Sequence, residues 1–230
     1  IMTSPSTQPS KSFDIDALIQ SLAGIEIITE PTQDSKLSQD YHTFSPIFTE
    51  KLAGKVADVV VRPSDKQQVL KVAAACAKHR VPITVRGAGT GNYGQCVPLY
   101  GGVVLDMTHL RQIIWVKPGV ARLEAGVKLE AANKITREIG WEMRMVPSTY
   151  RTATIGGFIA GGSGGIGSIN YGLLSDKGNI TALEIVTLEE APQVIELRGE
   201  DVQKVNHAWG INGIITEVEI PLAPAYLGQN

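Results

Sequence analysis

Basic blocks are missing from this chain. Its 230 residues carry 21 Lys and Arg against 23 Asp and Glu, a formal charge of −2, and the cations stand singly or in scattered pairs. With no basic footprint to read, nucleic acid is set aside as a partner. Cysteine is scarce: Cys76 and Cys96 share no Cys-x-x-Cys spacing, and His42, His79, His109 and His207 are dispersed. Neither a disulfide framework nor a metal site follows from that pattern. No run of about eighteen apolar residues is long enough to span a bilayer, and the N-terminus is polar and rich in Ser and Pro rather than basic and then apolar. The expectation is a soluble, cytoplasmic protein with no membrane span. Without a secretion signal, Asn179-Ile180-Thr181 reads as a chance glycosylation sequon. No internal repeat is found.

What is present is an ordinary globular composition, 43% hydrophobic and 19% charged, with one departure: 24 glycines, concentrated between Gly87 and Gly94 and between Gly156 and Gly167. Two separated glycine-rich loops suggest one ligand held at two points. The first, from Val85 to Gln95, follows a strand-like run and offers several backbone amides in succession with little side-chain bulk. Glycines can take positive φ, so successive N–H groups can turn toward one anion. A nucleotide or dinucleotide is the leading ligand hypothesis.

Residues 2 to 11 lack periodicity and are expected to form a tail. Phe13, Ile15, Leu18, Ile19 and Leu22 fall on one helical stripe. Val56 to Val61 reads as a strand, and Ser64 with Gln67 as a capping box opening a helix that carries Val69, Leu70, Val72, Ala73, Cys76 and Ala77 and ends near His79. Pro82 to Arg86 then completes a βαβ unit with parallel strands. Beyond Val103 to Asp106 a mainly antiparallel part is expected: a hairpin around Lys117-Pro118-Gly119, a helix from Lys128 to Ile139, strands Ala182 to Thr187 and Val194 to Leu197, a short helix from Glu200 to Trp209, and a closing strand from Ile214 to Leu222.

Gly89-Thr90-Gly91-Asn92-Tyr93-Gly94 satisfies G-x-G-x-x-G, but a Rossmann fingerprint needs its third glycine to open a helix that receives the pyrophosphate. Here Gln95 to Gly102 has no helical stripe and contains Pro98. Residues Gly162 to Gly167 fail in the same way, and neither loop is followed by the G-K-[ST] of a Walker A motif. For either loop alone, a tight surface turn is the plain alternative.

In this order, the motifs resemble the FAD domain of the vanillyl-alcohol oxidase type, also called PCMH-type. The resemblance runs from about Asp40 to near the end of the chain. It rests on Val61-Arg-Pro-Ser64, Arg86-Gly-Ala-Gly-Thr-Gly91, Gly101-Gly-Val-Val-Leu-Asp106, Ala125-Gly-Val127, Val146-Pro-Ser148, Thr154-Ile-Gly-Gly157 with the glycines to Gly167, Tyr171-Gly172, and Gly213-Ile-Ile-Thr216. The wording is similar to the glycolate oxidase and D-lactate dehydrogenase branch. The implied fold is α+β with two α/β subdomains, residues 13–101 and 102–224, the second mainly antiparallel, between tails 1–12 and 225–230. The implied FAD contacts are Arg86, Gly87, Ala88, Gly89, Thr90, Gly91, Asn92 and Gln95 around the pyrophosphate. Around the rest of the cofactor they are Pro147, Ser148, Thr154, Ile155, Gly156, Gly157, Gly161, Gly164, Gly165, Gly167 and, through its backbone, Ile215. Arg86 is a charge partner for the pyrophosphate or else a surface salt-bridge former, and Ser148 and Thr154 serve the ligand or their own turns. Tyr171 and Trp209 stack on a ring or, the preferred reading, are buried aromatics.

Thr90 stands where covalent members carry a His, so the implied FAD is non-covalent; Cys96, off the second attachment position, reads as a small packed residue. The Asp-Gly turn of the family is replaced by Glu189-Glu190-Ala191-Pro192, and the stretch from Gly210 to Gly213 is short. The family's cap domain, which covers the flavin and supplies much of the substrate pocket, is expected to be absent from this chain, and no catalytic base is assigned. His42 reads as loop, His79 as helix end, His109 as turn and His207 as helix surface. The implied function is the FAD-binding part of an oxidoreductase acting on a 2-hydroxy acid such as glycolate or D-lactate, with a small-molecule substrate, a cap domain or partner subunit, and an electron acceptor. The alternatives are a non-catalytic FAD-holding module that needs a partner chain, an NADPH-dependent reductase of the same fold, and a site for a phosphate-bearing metabolite.

Overall fold

The computed structural model describes residues 12–162 and 164–226. The expected tail at 2 to 11 and Ser163 of the second glycine-rich loop lie outside those residues, as do 227–230. The first part begins with α1 (Ile15–Ser21), whose N-cap Asp14 accepts from the amides of Asp16 and Ala17. Then come β1 (Glu26–Ile28), α2 (Pro31–Leu37), a 3₁₀ turn at Tyr41–Phe44, α3 (Pro46–Lys51), β2 (Val59–Arg62), α4 (Lys66–His79), β3 (Ile83–Arg86) and β4 (Val103–Asp106). Strand order is β1-β2-β4-β3, with β4 parallel to both neighbours and β1 antiparallel to β2.

Two details depart from the sequence reading here. The expected boundary at 101/102 falls one strand early, because β4 inserts between β2 and β3 and completes the first sheet rather than beginning the second. The two strands of the βαβ unit are parallel as expected, yet separated by β4. The cap of α4 is also shifted by one residue: Asp65 accepts from the Gln68 amide at 2.8 Å, and Gln68 Oε1 accepts in return from the Ser64 amide. Asp is as good an N-cap as Ser, and its position lets Gln68 reach back. Val69, Val72, Ala73 and Cys76 form the buried face of α4, which stops at Arg80 in a left-handed conformation.

The second part comprises β5 (Ile113–Lys117), β6 (Val120–Glu124), α5 (Leu129–Arg137), β7 (Trp141–Met143), α6 (Ile155–Gly161), α7 (Ser168–Tyr171), β8 (Ala182–Val186), β9 (Val194–Arg198) and β10 (Ile214–Pro224). Its sheet runs β5-β6-β10-β8-β9, with β7 also on β10, and every pairing is antiparallel. The expected helix from Glu200 to Trp209 is instead a 3₁₀ stretch, Gly199–Lys204, followed by a turn. The His207 amide bonds to Ile159 O at 3.0 Å and Trp209 to Ala160 O at 3.0 Å, so tertiary contacts with α6 outcompete helix continuation.

The core of the second part is built from Leu123, Leu129, Ile155, Ile159, Leu183 and Val218, all buried. Each such side chain contributes about 1.5–3 kcal/mol on burial. A second core joins the two parts: Leu18, Val59, Val72 and Leu105 from the first pack with Val186 and Ile214 from the second. Lys66 at the start of α4 reaches across to Glu184 at 2.7 Å and Glu217 at 2.8 Å. The two sheets are therefore held in a fixed relation, and the space between them becomes a site. Among the described residues no helix is long and apolar enough to cross a membrane.

Candidate functional site

Between the two parts lies a cleft of about 750 Å³, within the usual range of cofactor sites, ~300–1,000 Å³. One wall is the loop after β3, from Val85 to Cys96; the facing wall is Pro147 to Thr149 with α6 and the glycines at 164 and 165. The loop after β3 returns to the parallel strand β4 without a helix, so its amides are not consumed by helical bonds. Those of Ala88, Gly89, Thr90, Gly91 and Asn92 have no hydrogen-bond partner among the described residues. Five successive amides left free of protein acceptors, on partly exposed backbone lining the cleft, have the arrangement of an anion-binding concavity.

The N-terminus of α6 is different. Ile155 donates to Val127 O at 2.9 Å, Gly156 to Ala125 O at 2.8 Å, and Gly157 to the Thr154 Oγ1 cap at 3.2 Å. Its first amides are occupied, so α6 offers shape rather than anion capture.

The two loops touch. A Cβ added at Gly87 would overlap Thr154 Oγ1, and one at Gly89, whose φ is +70°, would overlap the Arg86 guanidinium. Arg86 itself is buried, 8% exposed, and Nη1 donates to Gln39 O and contacts Cys96 Sγ at 3.4 Å. No carboxylate pairs with it among the described residues. The guanidinium thus lies beneath the amide row with no ion pair among the described residues. Burial pushes the Cys96 thiol up to about 11, with Arg86 opposing and Asp40 reinforcing the shift.

Seventeen of the nineteen sequence-derived contact residues line the cleft; Ile155 and Gly167 do not. The Ile155 side chain is 1% exposed in the core of the second part, and Gly167, with φ +101°, begins α7 against Arg144 O. The Gln95 carbonyl oxygen is turned inward to accept from the Tyr93 amide at 3.0 Å, closing the loop rather than facing a ligand. Ile215 sits where β10 loses register with β8, and such a bulge re-aims the chain toward the cleft.

Residues not singled out from sequence also line it: Asp40, Tyr41, Phe44, Met107 and Thr149. His207 and Trp209 are moved from their expected roles. Both adopt left-handed backbone, φ 57° and 53°, and line the cleft with ring centroids 6.2 Å apart. Trp209 is 46% exposed and not a buried aromatic. Tyr171 is also partly exposed, with Arg144 over its ring at 5.6 Å, away from the cleft. His42, expected in a loop, is buried in the 3₁₀ turn. Positive φ in a His and a Trp leaves no sequence signature, and nothing in residue pattern places 39–44 beside the first loop.

A family model described as an FAD binding domain matches residues 57–192. The glycolate oxidase subunit GlcD of Escherichia coli (strain K12) is 30% identical over 216 residues, covering 90% of this chain and 41% of that protein. D-lactate dehydrogenase of Anaerostipes hadrus is 27% identical over 182 residues, 73% of this chain and 37% of that one. D-2-hydroxyglutarate dehydrogenase of Escherichia coli (strain K12) is 37% identical over 125 residues, 52% of this chain and 12% of that one. A solved structure of alkyldihydroxyacetonephosphate synthase superimposes with a TM-score of 0.80 at 18% identity over 99% of this chain and 44% of its own, a likeness of fold. The chain thus spans less than half the length of these relatives.

Proposed function

The chain belongs to the FAD binding domain family and FAD is its cofactor; from that premise we propose that the cleft holds FAD non-covalently for the oxidation of a 2-hydroxy acid. The observation that carries the placement is the row of unpartnered amides from Ala88 to Asn92 above the buried Arg86, which has no ion pair among the described residues. A diphosphate supplies the acceptors this row lacks and the negative charge the guanidinium lacks. The close packing of this loop supports the placement, since a methyl at Gly87 or Gly89 would collide with Thr154 or Arg86 and displace the amide row.

Bound FAD supplies the redox chemistry, taking up a hydride equivalent from the substrate carbon. The chain's own part is to bind, orient and screen it. The amide row and Arg86 hold the diphosphate end. Gly156, Gly157, Gly161, Gly164 and Gly165 form a wall with little side-chain bulk, suited to close approach of a flat ring. Ser148 and Thr154 present hydroxyls, although Thr154 Oγ1 is committed to its cap. Thr90 offers no imidazole for a covalent link.

The substrate class is supported by the relatives, whose names concern glycolate, D-lactate and D-2-hydroxyglutarate. Phe44, Tyr93 and Ile166 at the cleft are 81%, 62% and 71% exposed, and this apolar rim is suited to further polypeptide, in the same protein or a partner subunit, completing the substrate pocket. The test is anaerobic mixing of the FAD-loaded whole protein with glycolate, D-lactate or NADPH. Bleaching of the visible flavin band by a 2-hydroxy acid is expected; bleaching by NADPH alone contradicts the substrate class and assigns a reductase.

A further inference from the structure

One group in the cleft is unused by this reading. Asp40 lines the cleft and is 7% exposed. Its Oδ1 accepts from the His42 amide at 2.8 Å and from His42 Nδ1 at 2.9 Å. Its Oδ2 is buried with no hydrogen-bond partner among the described residues. A buried carboxylate oxygen without a donor is costly, and it persists where something else supplies that donor.

Its position says what that is. The segment carrying Asp40 is tied to the first glycine-rich loop on both sides, by Arg86 Nη1 to Gln39 O and by the Tyr41 amide to Gly91 O at 2.8 Å. Asp40 therefore stands beside the amide row, with the Arg86 cation close enough for both to act on the Cys96 thiol. An anion-binding row flanked by an acceptor-only carboxylate does not suit a bare phosphate, which would be repelled on that side. It suits a phosphate whose neighbouring group carries hydroxyl donors. In FAD the groups directly flanking the diphosphate are sugars: ribose on one side, the ribityl chain on the other.

Resting on the FAD reading above, we propose that Asp40 is a cofactor-binding residue whose free Oδ2 accepts a hydrogen bond from a sugar hydroxyl next to the diphosphate. His42 is the positioning residue, fixing the carboxylate through Oδ1. Together Arg86 and Asp40 distinguish a sugar-linked diphosphate from inorganic phosphate.

The test uses Asp40→Asn, which keeps an Oδ1 acceptor for His42 but places an NH₂ donor where the free oxygen was. Calorimetric titrations of wild type and variant with FAD, ADP and FMN are compared with melting of both proteins stripped of flavin. The expected result is a loss of FAD affinity of tenfold or more together with a stripped variant that melts no lower than wild type, because a buried carboxylate oxygen without a donor has been removed. If the loss follows ADP the hydroxyl is on the ribose; if it follows FMN, on the ribityl chain. FAD affinity within twofold of wild type overturns the proposal, as does a stripped variant that melts lower, which would make Asp40 a structural residue. Wild-type protein that binds no FAD is a separate result, against the reading of the cleft itself.

Discussion

Thr154 Oγ1 and the α-carbon of Gly87 mark the contact between the two glycine-rich loops, and the fit leaves no room for a methyl group. The same oxygen caps α6 by accepting from Gly157. Gly87→Ala is expected to cost about 1–3 kcal/mol through overpacking, and Thr154→Ala about 1 kcal/mol through loss of the cap. In the double variant the new Cβ faces the residue 154 Cβ at 3.6 Å and Gly157 Cα at 3.7 Å, both ordinary contacts. Urea unfolding of the four proteins should therefore give a double variant less destabilised than the sum of the singles. Strict additivity would mean that the loops do not meet in this way.

Much of the architecture was legible because periodicity reports burial. The apolar stripe of α4 needed no tertiary information. The anion-binding loop was legible for a different reason, since backbone unencumbered by side chains is visible as glycine. What was not legible depends on contacts distant in sequence. Asp40 and Phe44 reach the cleft through the bonds of Tyr41 to Gly91 and of Arg86 to Gln39, and β4 joins the first sheet because the loop before it returns between β2 and β3. The turn at His207 was expected as helix, yet α6 claims the amides of His207 and Trp209.

Thiol chemistry reports on the same cleft. Burial pushes Cys96 up to about 11 and Cys76 up to about 12, so neither presents thiolate at neutral pH. Both should alkylate slowly in folded protein, with Cys96 the faster because it lines the cleft. Saturating FAD should slow Cys96 and leave Cys76 unchanged, as followed by mass spectrometry of the labelled peptides. An FAD-independent rate at Cys96 would separate the ligand from that wall.

Acid stability should depend on Glu217. Burial alone would raise its pKa, but hydrogen bonds from Lys66 and Arg122 outweigh that and hold it below the ordinary glutamate value. A carboxylate depressed in the folded state contributes stability above its unfolded pKa of ~4.3, and loses it as pH falls through the folded value. Glu217→Gln should therefore cost about 1–3 kcal/mol at neutral pH, with the gap to wild type narrowing below ~pH 4.3. Denaturant melts across pH measure this; a constant gap would mean that the bridge between the two parts does not depend on the Glu217 charge.

The most direct measurement is the absorption spectrum of the protein after incubation with FAD and desalting, followed by acid precipitation. The account predicts flavin bands that survive desalting and appear wholly in the supernatant after acid. Protein that emerges colourless would contradict the FAD site between the two loops, and flavin that stays with the acid pellet would contradict non-covalent binding.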